Sequence, residues 1–303
     1  MSYIVGIDGG GTKTVLRVVD CEKKVLCELL GGGINRYSMP DNTVRDNLGS
    51  LLNEASRHIS NARFAAICLG TAGAVNKHDK SFYENILLDY SDRVEVYDDA
   101  YIMLFENLHS NPGILFTCGT GSIFYGKNKN GKVSRIGGWG HIMSDEGSGY
   151  EIGLTALKTI AKNHDLQKKP TKLLEFIYES FGCSDYLELV SKVNIEKQDK
   201  KHIAMLAEQV NRAALLNDID SISILENSAM RLCDMCELLV KQLSLDDSPF
   251  LIMTNGSVIQ KIDLIRRKFE SEIKKRFPMC TVQNVTIDPA WGAIEIAQNS
   301  LMH

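Results

Sequence analysis

The stretch DGGGTKT, Asp8–Thr14, lies between two short apolar runs, YIVGI (3–7) and VLRVV (15–19). A turn of this composition can hold a phosphate. Gly9, Gly10 and Gly11 expose backbone N–H groups by allowing positive φ and close approach, and Thr12 and Thr14 add hydroxyl donors. Lys13 adds a point charge. The spacing is not that of a P-loop, because Thr12 intervenes between Gly11 and Lys13 and the next element reads as a strand rather than a helix. The dinucleotide pattern G-x-G-x-x-G fails on the same two counts. The loop is therefore expected at the tip of a β-hairpin. Asp8 ends the first strand beside it. A carboxylate next to a phosphate implies an intervening cation, and Mg²⁺ bound through water fits one carboxylate, so Asp8 is a candidate metal anchor. An Asx-turn that caps the hairpin is the plainer alternative.

The elements that must position these residues follow from the apolar pattern. The runs 3–7 and 15–19 are rich in β-branched residues and too short for capped helices, and VLCELL (25–30) makes a third strand. Helical periodicity runs through TVRDNLGSLLNEASRHI (43–59), then a strand FAAICLG (64–70), a helix near Phe82–Leu88, a strand RVEVYDD (93–99) and a helix AYIMLFENL (100–108). This order predicts a mixed sheet with helices on its faces. At Gly113 the pattern restarts: GILFTCGTGSIFYGKNKNGKVSRI echoes the first strands about 110 residues on. Its tip, Gly119-Thr120-Gly121-Ser122, is a second polar glycine turn. The chain thus reads as a structural duplication, with two hairpin tips clamping one nucleotide from opposite sides of a cleft. The expected domains are 1–112, joined by the last helix 289–303, and 113–288. The second carries a long helical insertion, Gly149–Leu245, then a strand FLIMTNG, one helix over 257–277, and a strand CTVQNVTI.

The chain has 303 residues, 44% apolar and 24% charged, with a net charge of −4. That is ordinary for a soluble globular protein and gives no electrostatic footprint for nucleic acid or an anionic membrane. With no apolar run of spanning length and no signal peptide before the charged turn, a cytoplasmic location is expected. Of the eight cysteines only Cys233 and Cys236 have ligand-like spacing. They fall in a helical pattern without a matching second pair and are expected to pack as core thiols rather than bind zinc.

DGGGTKT, GTGS (119–122) and NGSV (255–258), in that order and spacing, resemble the nucleotide loops of the actin-like ATPase superfamily. GGWGHIMSDEGSGYEIG (Gly137–Gly153) more specifically resembles the BadF/BadG/BcrA/BcrD ATPase family and its N-acetylglucosamine kinase branch. The resemblance implies an α/β fold of two actin-like, ribonuclease H-like domains, each with a mixed five-stranded sheet, flanking a cleft. It implies that Gly9–Thr14, Gly119, Thr120, Gly121, Asn255, Gly256 and Ser257 bind ATP with Mg²⁺. It implies Asp99, in the D-A pair of VYDDA, as the base that accepts a sugar hydroxyl's proton, with Asp98 on the opposite strand face. Capping of the following helix is the alternative for both. The amino-sugar pocket would use Asn35, Tyr37 where the family has tryptophan, Thr71, Gly73, Trp139 and Asp145, with Glu146 as a helix N-terminal charge.

The implied function is ATP-dependent phosphorylation of an amino sugar, N-acetylglucosamine, N-acetylmuramate or glucosamine, at the 6-hydroxyl. An ATPase that activates a radical dehydratase is the alternative within the same family. A sugar-sensing repressor is disfavoured because the chain begins directly with the ATP hairpin. The resemblance also implies a homodimer, with the helical insertion as its surface.

Overall fold

The computed structural model describes residues 2–60, 63–108, 111–195, 198–285 and 288–301. The chain forms two compact units, residues 1–110 with 286–303, and residues 111–285.

In the first unit the order is β1 (Ile4–Gly9), β2 (Lys13–Val19), β3 (Val25–Gly32), α1 (Asp41–His58), β4 (Ala66–Thr71), α2 (Lys77–Leu87), β5 (Val94–Tyr97) and α3 (Asp99–Leu108). The sheet order is β3-β2-β1-β4-β5. β1 runs antiparallel to β2 but parallel to β4, and β4 parallel to β5, with Asp8 opposite Gly70 and Gly70 opposite Tyr97. The central strands are apolar on both faces because helices cover both. Val44, Leu48, Leu51, Leu52 and Ala55 make the buried stripe of α1. α2 begins with a reciprocal capping box between Asn76 and Asp79.

The second unit repeats the plan: β6 (Gly113–Cys118), β7 (Ser122–Lys127) and β8 (Val133–Gly137), then the helices α4 (Gly149–Asp165), α5 (Lys172–Phe181), α6 (Tyr186–Asn194), α7 (Lys200–Leu215) and α8 (Ile219–Leu243). It closes with β9 (Phe250–Asn255), α9 (Ser257–Lys261), α10 (Asp263–Arg276) and β10 (Cys280–Asn284). The sheet order β10-β9-β6-β7-β8 is the first sheet's order again, with β6 in the place of β1. Phe116 and Phe124 stack at 4.1 Å in its core. The remaining helix, α11 (Pro289–Ser300), belongs to the first unit and packs on β1, β4 and α3. Proline in its first turn and Asp288 as its N-cap set its start.

Two boundaries differ from the sequence reading. β5 ends at Tyr97, so Asp98 and Asp99 are not strand residues with opposite faces; Asp99 opens α3. The expected helix over 257–277 breaks at Ile262, which adopts φ −100° and ψ 91°. Neither Pro nor Gly marks that break; the extended Ile262 is buried in the same core as Val258, Ile259 and Ile265. Cys233 and Cys236 lie fully buried on α8 in this core. Burial pushes the Cys233 thiol up to about 12 and Cys236 well above the ordinary thiol range. No helix among the described residues is long and apolar enough to cross a membrane.

Helix packing in the second unit depends on one missing side chain. A Cβ on Gly153 of α4 would fall on the carbonyl oxygen of Ile203 in α7. Gly153→Ala is expected to lower stability by about 2 kcal/mol or more, because neither backbone can yield cheaply. Gly49→Ala in α1, where a Cβ meets nothing within 4 Å, is expected to be neutral or stabilising by up to ~1 kcal/mol. Urea denaturation of the two variants checks the contrast.

Candidate functional site

The first hairpin tip is closed by Gly10 N–H donating to the Lys13 carbonyl at 2.9 Å, while Ile34 N–H donates to Gly10 O. The amides of Gly11 and Thr12 take no partner among the described residues, and Gly11, Thr12 and Lys13 are exposed. They can donate to an anion. The glycines serve close approach, not positive φ, since none of Gly9–Gly11 has one. A Cβ on Gly9 would overlap the Ile34 side chain. Thr14 departs from expectation: it is fully buried, and its hydroxyl donates to Gly32 O at 2.7 Å. It holds β2 to β3 and cannot reach a phosphate.

Asp8 sits one residue before the end of β1, next to β4 and in the same register layer as the end of β5. The C-terminal edge of parallel strands is where ligands of such sheets bind. Burial raises the Asp8 carboxyl to about 6, helped by Asp99 and Asp288 and opposed by Lys13. Asp99 is raised too, by burial first and by Asp98 second. Its Oδ1 accepts the Ala100 N–H at 2.9 Å, and Oδ2 has no hydrogen-bond partner among the described residues. Asp98 behaves as the helix cap, accepting the Tyr101 N–H at 2.9 Å. Asp288 was not singled out in the sequence. It caps α11 and pairs with Arg17 at 2.6 Å, while Arg17 also pairs with Glu28 and lies 4.8 Å over Trp291. Among the described residues no set of three His, Cys, Asp or Glu is close enough to cage a metal. Carboxylates crowded this way without a cage fit a hydrated cation shared with phosphate, in the manner of Mg²⁺.

Asn35, Tyr37, Thr71 and Gly73 gather at the same edge of the first unit. Asn35 Oδ1 accepts Tyr37 N–H at 2.9 Å in an Asx-turn. The Tyr37 ring is 64% exposed, and its hydroxyl donates to Asp79 at 2.9 Å, so the ring is oriented yet open. Asp79 is fixed in turn by Arg36 at 3.1 Å. Gly73 abuts Asn35 and Arg36 and leaves room for the Tyr83 hydroxyl, which donates to Ile34 O at 2.6 Å. Thr71 is fully buried, its Oγ1 accepting Gly73 N–H at 3.2 Å. It shapes this turn from beneath.

In the second unit the tip amides of Thr120 and Gly121 are unpaired among the described residues, while their neighbours are held firmly. Gly149 N–H donates to Gly119 O at 2.8 Å and Tyr150 N–H to Thr120 O at 3.3 Å. Gly256 has φ 101°, which glycine alone adopts readily, and a Cβ there would strike Cys118 O. That contact brings Ser257 against Gly119. Gly119, Thr120, Ser257 and Val258 line a cavity of about 390 Å³. Its other wall is α7, through Lys201, Ala204, Met205, Glu208 and Asn211, with Lys261 and Ile262 at the end. Sequence reading missed this wall, because an amphipathic helix in an insertion carries no signal for what its polar face meets.

Two expectations for this unit are corrected. Asp145 is not a free sugar ligand. It is 3% exposed, accepts the Ser122 N–H at 3.1 Å and pairs with Lys200 at 2.7 Å, so it holds the second tip from inside. Glu146 is not a first-turn charge of α4; Ser148 is the N-cap and Glu151 the first-turn acid. Trp139 is 58% exposed between Gly138 and Gly140, with the Arg135 guanidinium 4.0 Å from its ring centre. Asn255 ends β9.

Two sheets of order 3-2-1-4-5, each opened by a glycine-tipped hairpin, define a duplicated α/β fold of the actin-like kind. Residues 5–297 match the BadF/BadG/BcrA/BcrD ATPase family, and the chain belongs to that family. It is 35% identical over 303 residues to the N-acetylmuramic acid/N-acetylglucosamine kinase of Clostridium acetobutylicum, covering 99% of each chain. It is 28% identical to the N-acetyl-D-glucosamine kinase of Dictyostelium discoideum, covering 98% of each. Its fold matches a solved Chromobacterium violaceum structure, proposed to be an N-acetylglucosamine kinase, with a TM-score of 0.75, 22% identity and 98% and 99% coverage.

The raised Asp8 carboxyl makes stability depend on pH. Unfolded, the group ionises in the ordinary carboxylate range, near 4; folded, it holds its proton up to about 6. The folded state therefore loses stability as pH rises from about 4 to about 6, on the order of 2–3 kcal/mol, and stays lower above that. Asp8→Asn is expected to raise the melting temperature of the ligand-free protein at pH 7.5 and to change it little at pH 4.5. Thermal melts at the two pH values, without divalent cations, check this.

Proposed function

We propose that this protein is an ATP-dependent amino-sugar kinase acting on N-acetylglucosamine, N-acetylmuramate or both, at the 6-hydroxyl. The observation that carries the nucleotide half is the cavity bounded by the Gly119–Thr120 tip and the Gly256–Ser257 turn, which suits an adenosine. The named relatives, similar along the whole chain, support the amino-sugar half. In this reading Thr120 and Gly121 donate backbone N–H groups to phosphate, and Gly11, Thr12 and Lys13 of the first unit are phosphate donors as well. Mg²⁺, anchored at Asp8, supplies charge neutralisation of the phosphates when bound.

Asp99 is the base. Its free Oδ2 accepts the proton of the attacking hydroxyl while that oxygen bonds to the γ-phosphorus, and ADP leaves. The upward shift of Asp99 by burial brings its proton affinity closer to that of its task. Tyr37 offers an open ring face for the apolar C–H side of the sugar, and Asn35 and the Gly73 turn offer polar groups beside it. Trp139 is a second exposed aromatic candidate for the sugar. A homodimer through the helical insertion belongs to the same reading, supported by the exposed Leu187, Ile195, Leu215 and Ile219. Activation of a radical dehydratase finds no supporting observation, because the closely spaced cysteines lie in the core of α8.

Asp99→Asn is expected to reduce sugar phosphorylation by about 100-fold or more while ADP binding stays within about twofold. Coupled assays and calorimetry check both; turnover close to that of the unaltered protein would remove Asp99 as the base. A panel of amino sugars ranked by kcat/KM is expected to place the N-acetylated ones above glucosamine. Glucose phosphorylated as efficiently as these would overturn the amino-sugar assignment.

A further inference from the structure

Asp145 lies in a turn that its side chain cannot favour for its own sake. Its φ of 77° is in the left-handed region, unusual for any residue but glycine, and its carboxylate is almost wholly buried. Residues held in such a conformation persist where the surroundings over-determine them. Here the surroundings are the second glycine tip. Asp145 Oδ1 accepts the Ser122 N–H at 3.1 Å, and a Cβ on Gly121 would come within 2.7 Å of the same oxygen. The other oxygen, Oδ2, accepts from Lys200 Nζ at 2.7 Å. Lys200 is 55 residues further on in the sequence and is the first residue of α7.

That helix is the far wall of the 390 Å³ cavity, and Lys201, Ala204 and Met205, directly after Lys200, line it. The near wall is the tip itself. α4 joins the two below: its first amides donate to Gly119 O and Thr120 O, and its Gly149 and Gly153 let α7 approach to backbone contact. These contacts fix how close α7 lies and hold the Gly119 and Thr120 carbonyls, but none of them reaches the Ser122 end of the tip. The Asp145–Lys200 ion pair links that end to the helix, through the Ser122 N–H that Asp145 accepts.

We infer that Lys200 is a positioning residue for the nucleotide: through Asp145 it fastens the start of α7 to the Gly119–Ser122 tip and holds the two walls of the cavity in register. The inference rests on the nucleotide reading of that cavity and deepens it. Removing Lys200 leaves a buried carboxylate without its cation, the most disruptive way to break a buried pair. The carboxylate then relieves its isolation by turning toward water, which withdraws the acceptor from Ser122 N–H and loosens the tip. Arginine at the same position keeps the charge and can re-form the pair.

The test uses the full chain with ADP as probe. Lys200→Met is expected to weaken ADP binding by about tenfold or more, and Lys200→Arg to recover most of it. In turnover, the loss in Lys200→Met falls mainly on KM for ATP, with a smaller change in kcat and in KM for the sugar. Amide exchange at Ser122 is expected to quicken in Lys200→Met but not in Lys200→Arg. Lys200→Gln, which keeps a polar reach without charge, gives the same reading should the methionine variant fail to fold: weak ADP binding by a protein that melts cooperatively. Equal ADP affinity in the unaltered protein and a folded Lys200→Met or Lys200→Gln overturns the inference alone. Arginine and methionine variants that are equally weak overturn it too, by removing the charge as the cause. No ADP binding by the unaltered protein overturns the nucleotide reading beneath it.

Discussion

The constraint on which the first unit turns is the crowding of carboxylates at one edge of a parallel sheet. Asp8 and Asp99 are both raised by burial, Asp8 further by its acidic neighbours, and Asp288, the third group nearby, is already paired to Arg17. Among the described residues Lys13 opposes the build-up of charge at Asp8, and it does so from an exposed tip. A sheet edge of this kind is unfavourable until it meets a partner of opposite charge, so stability is given up where chemistry is needed. The rest of the unit can be understood as holding that edge still. Arg17 is buried beneath α11, Thr14 ties β2 to β3, and the missing side chain of Gly6 lets α11 press directly on β1.

The second unit uses the same sheet for a different purpose. Its tip carries no carboxylate in the position of Asp8: Cys118 ends β6, and its thiol is fully buried. An acid reaches the tip from outside the hairpin instead, as Asp145, and it binds backbone and lysine rather than being left to repel. One tip is thus placed beside uncompensated negative charge and the other beside compensated charge. The duplication keeps the sheet and the glycine turn and changes the charge beside them.

Much of this was legible in the sequence where periodicity and turn chemistry agree. The hairpins, the parallel strands and the return of the last helix follow from β-branched runs, glycine tips and the proline at 289, since these patterns have few alternative structures. The choice of Asp99 over Asp98 as base rests on the resemblance alone; the alternation rule offered for it fails, because the strand has already ended at Tyr97. Thr71 and Asp145 are read as ligands only through the resemblance. Thr71 is buried at the end of β4, where its hydroxyl takes up the local Gly73 N–H, and Asp145 is buried against Lys200, a long-range contact that no local pattern encodes. Asp288 and the α7 wall were missed for the same reason, each being defined by what long-range packing puts opposite it.

The helical insertion between β8 and β9 is therefore more than an appendage. An insertion at that point of the repeat begins at the tip, since α4 starts by donating its first amides to Gly119 and Thr120. It must also end at β9, and the Gly256–Ser257 turn follows that strand. A chain segment tied to the tip at its start can lay one of its helices opposite these two loops, and here α7 takes that place. The sheet plan fixes where the phosphate-binding amides stand. What lies opposite them is left to the insertion, so the face that α7 turns toward the cavity, Met205, Glu208 and Asn211 among others, can change in sequence without disturbing the fold that carries the chemistry.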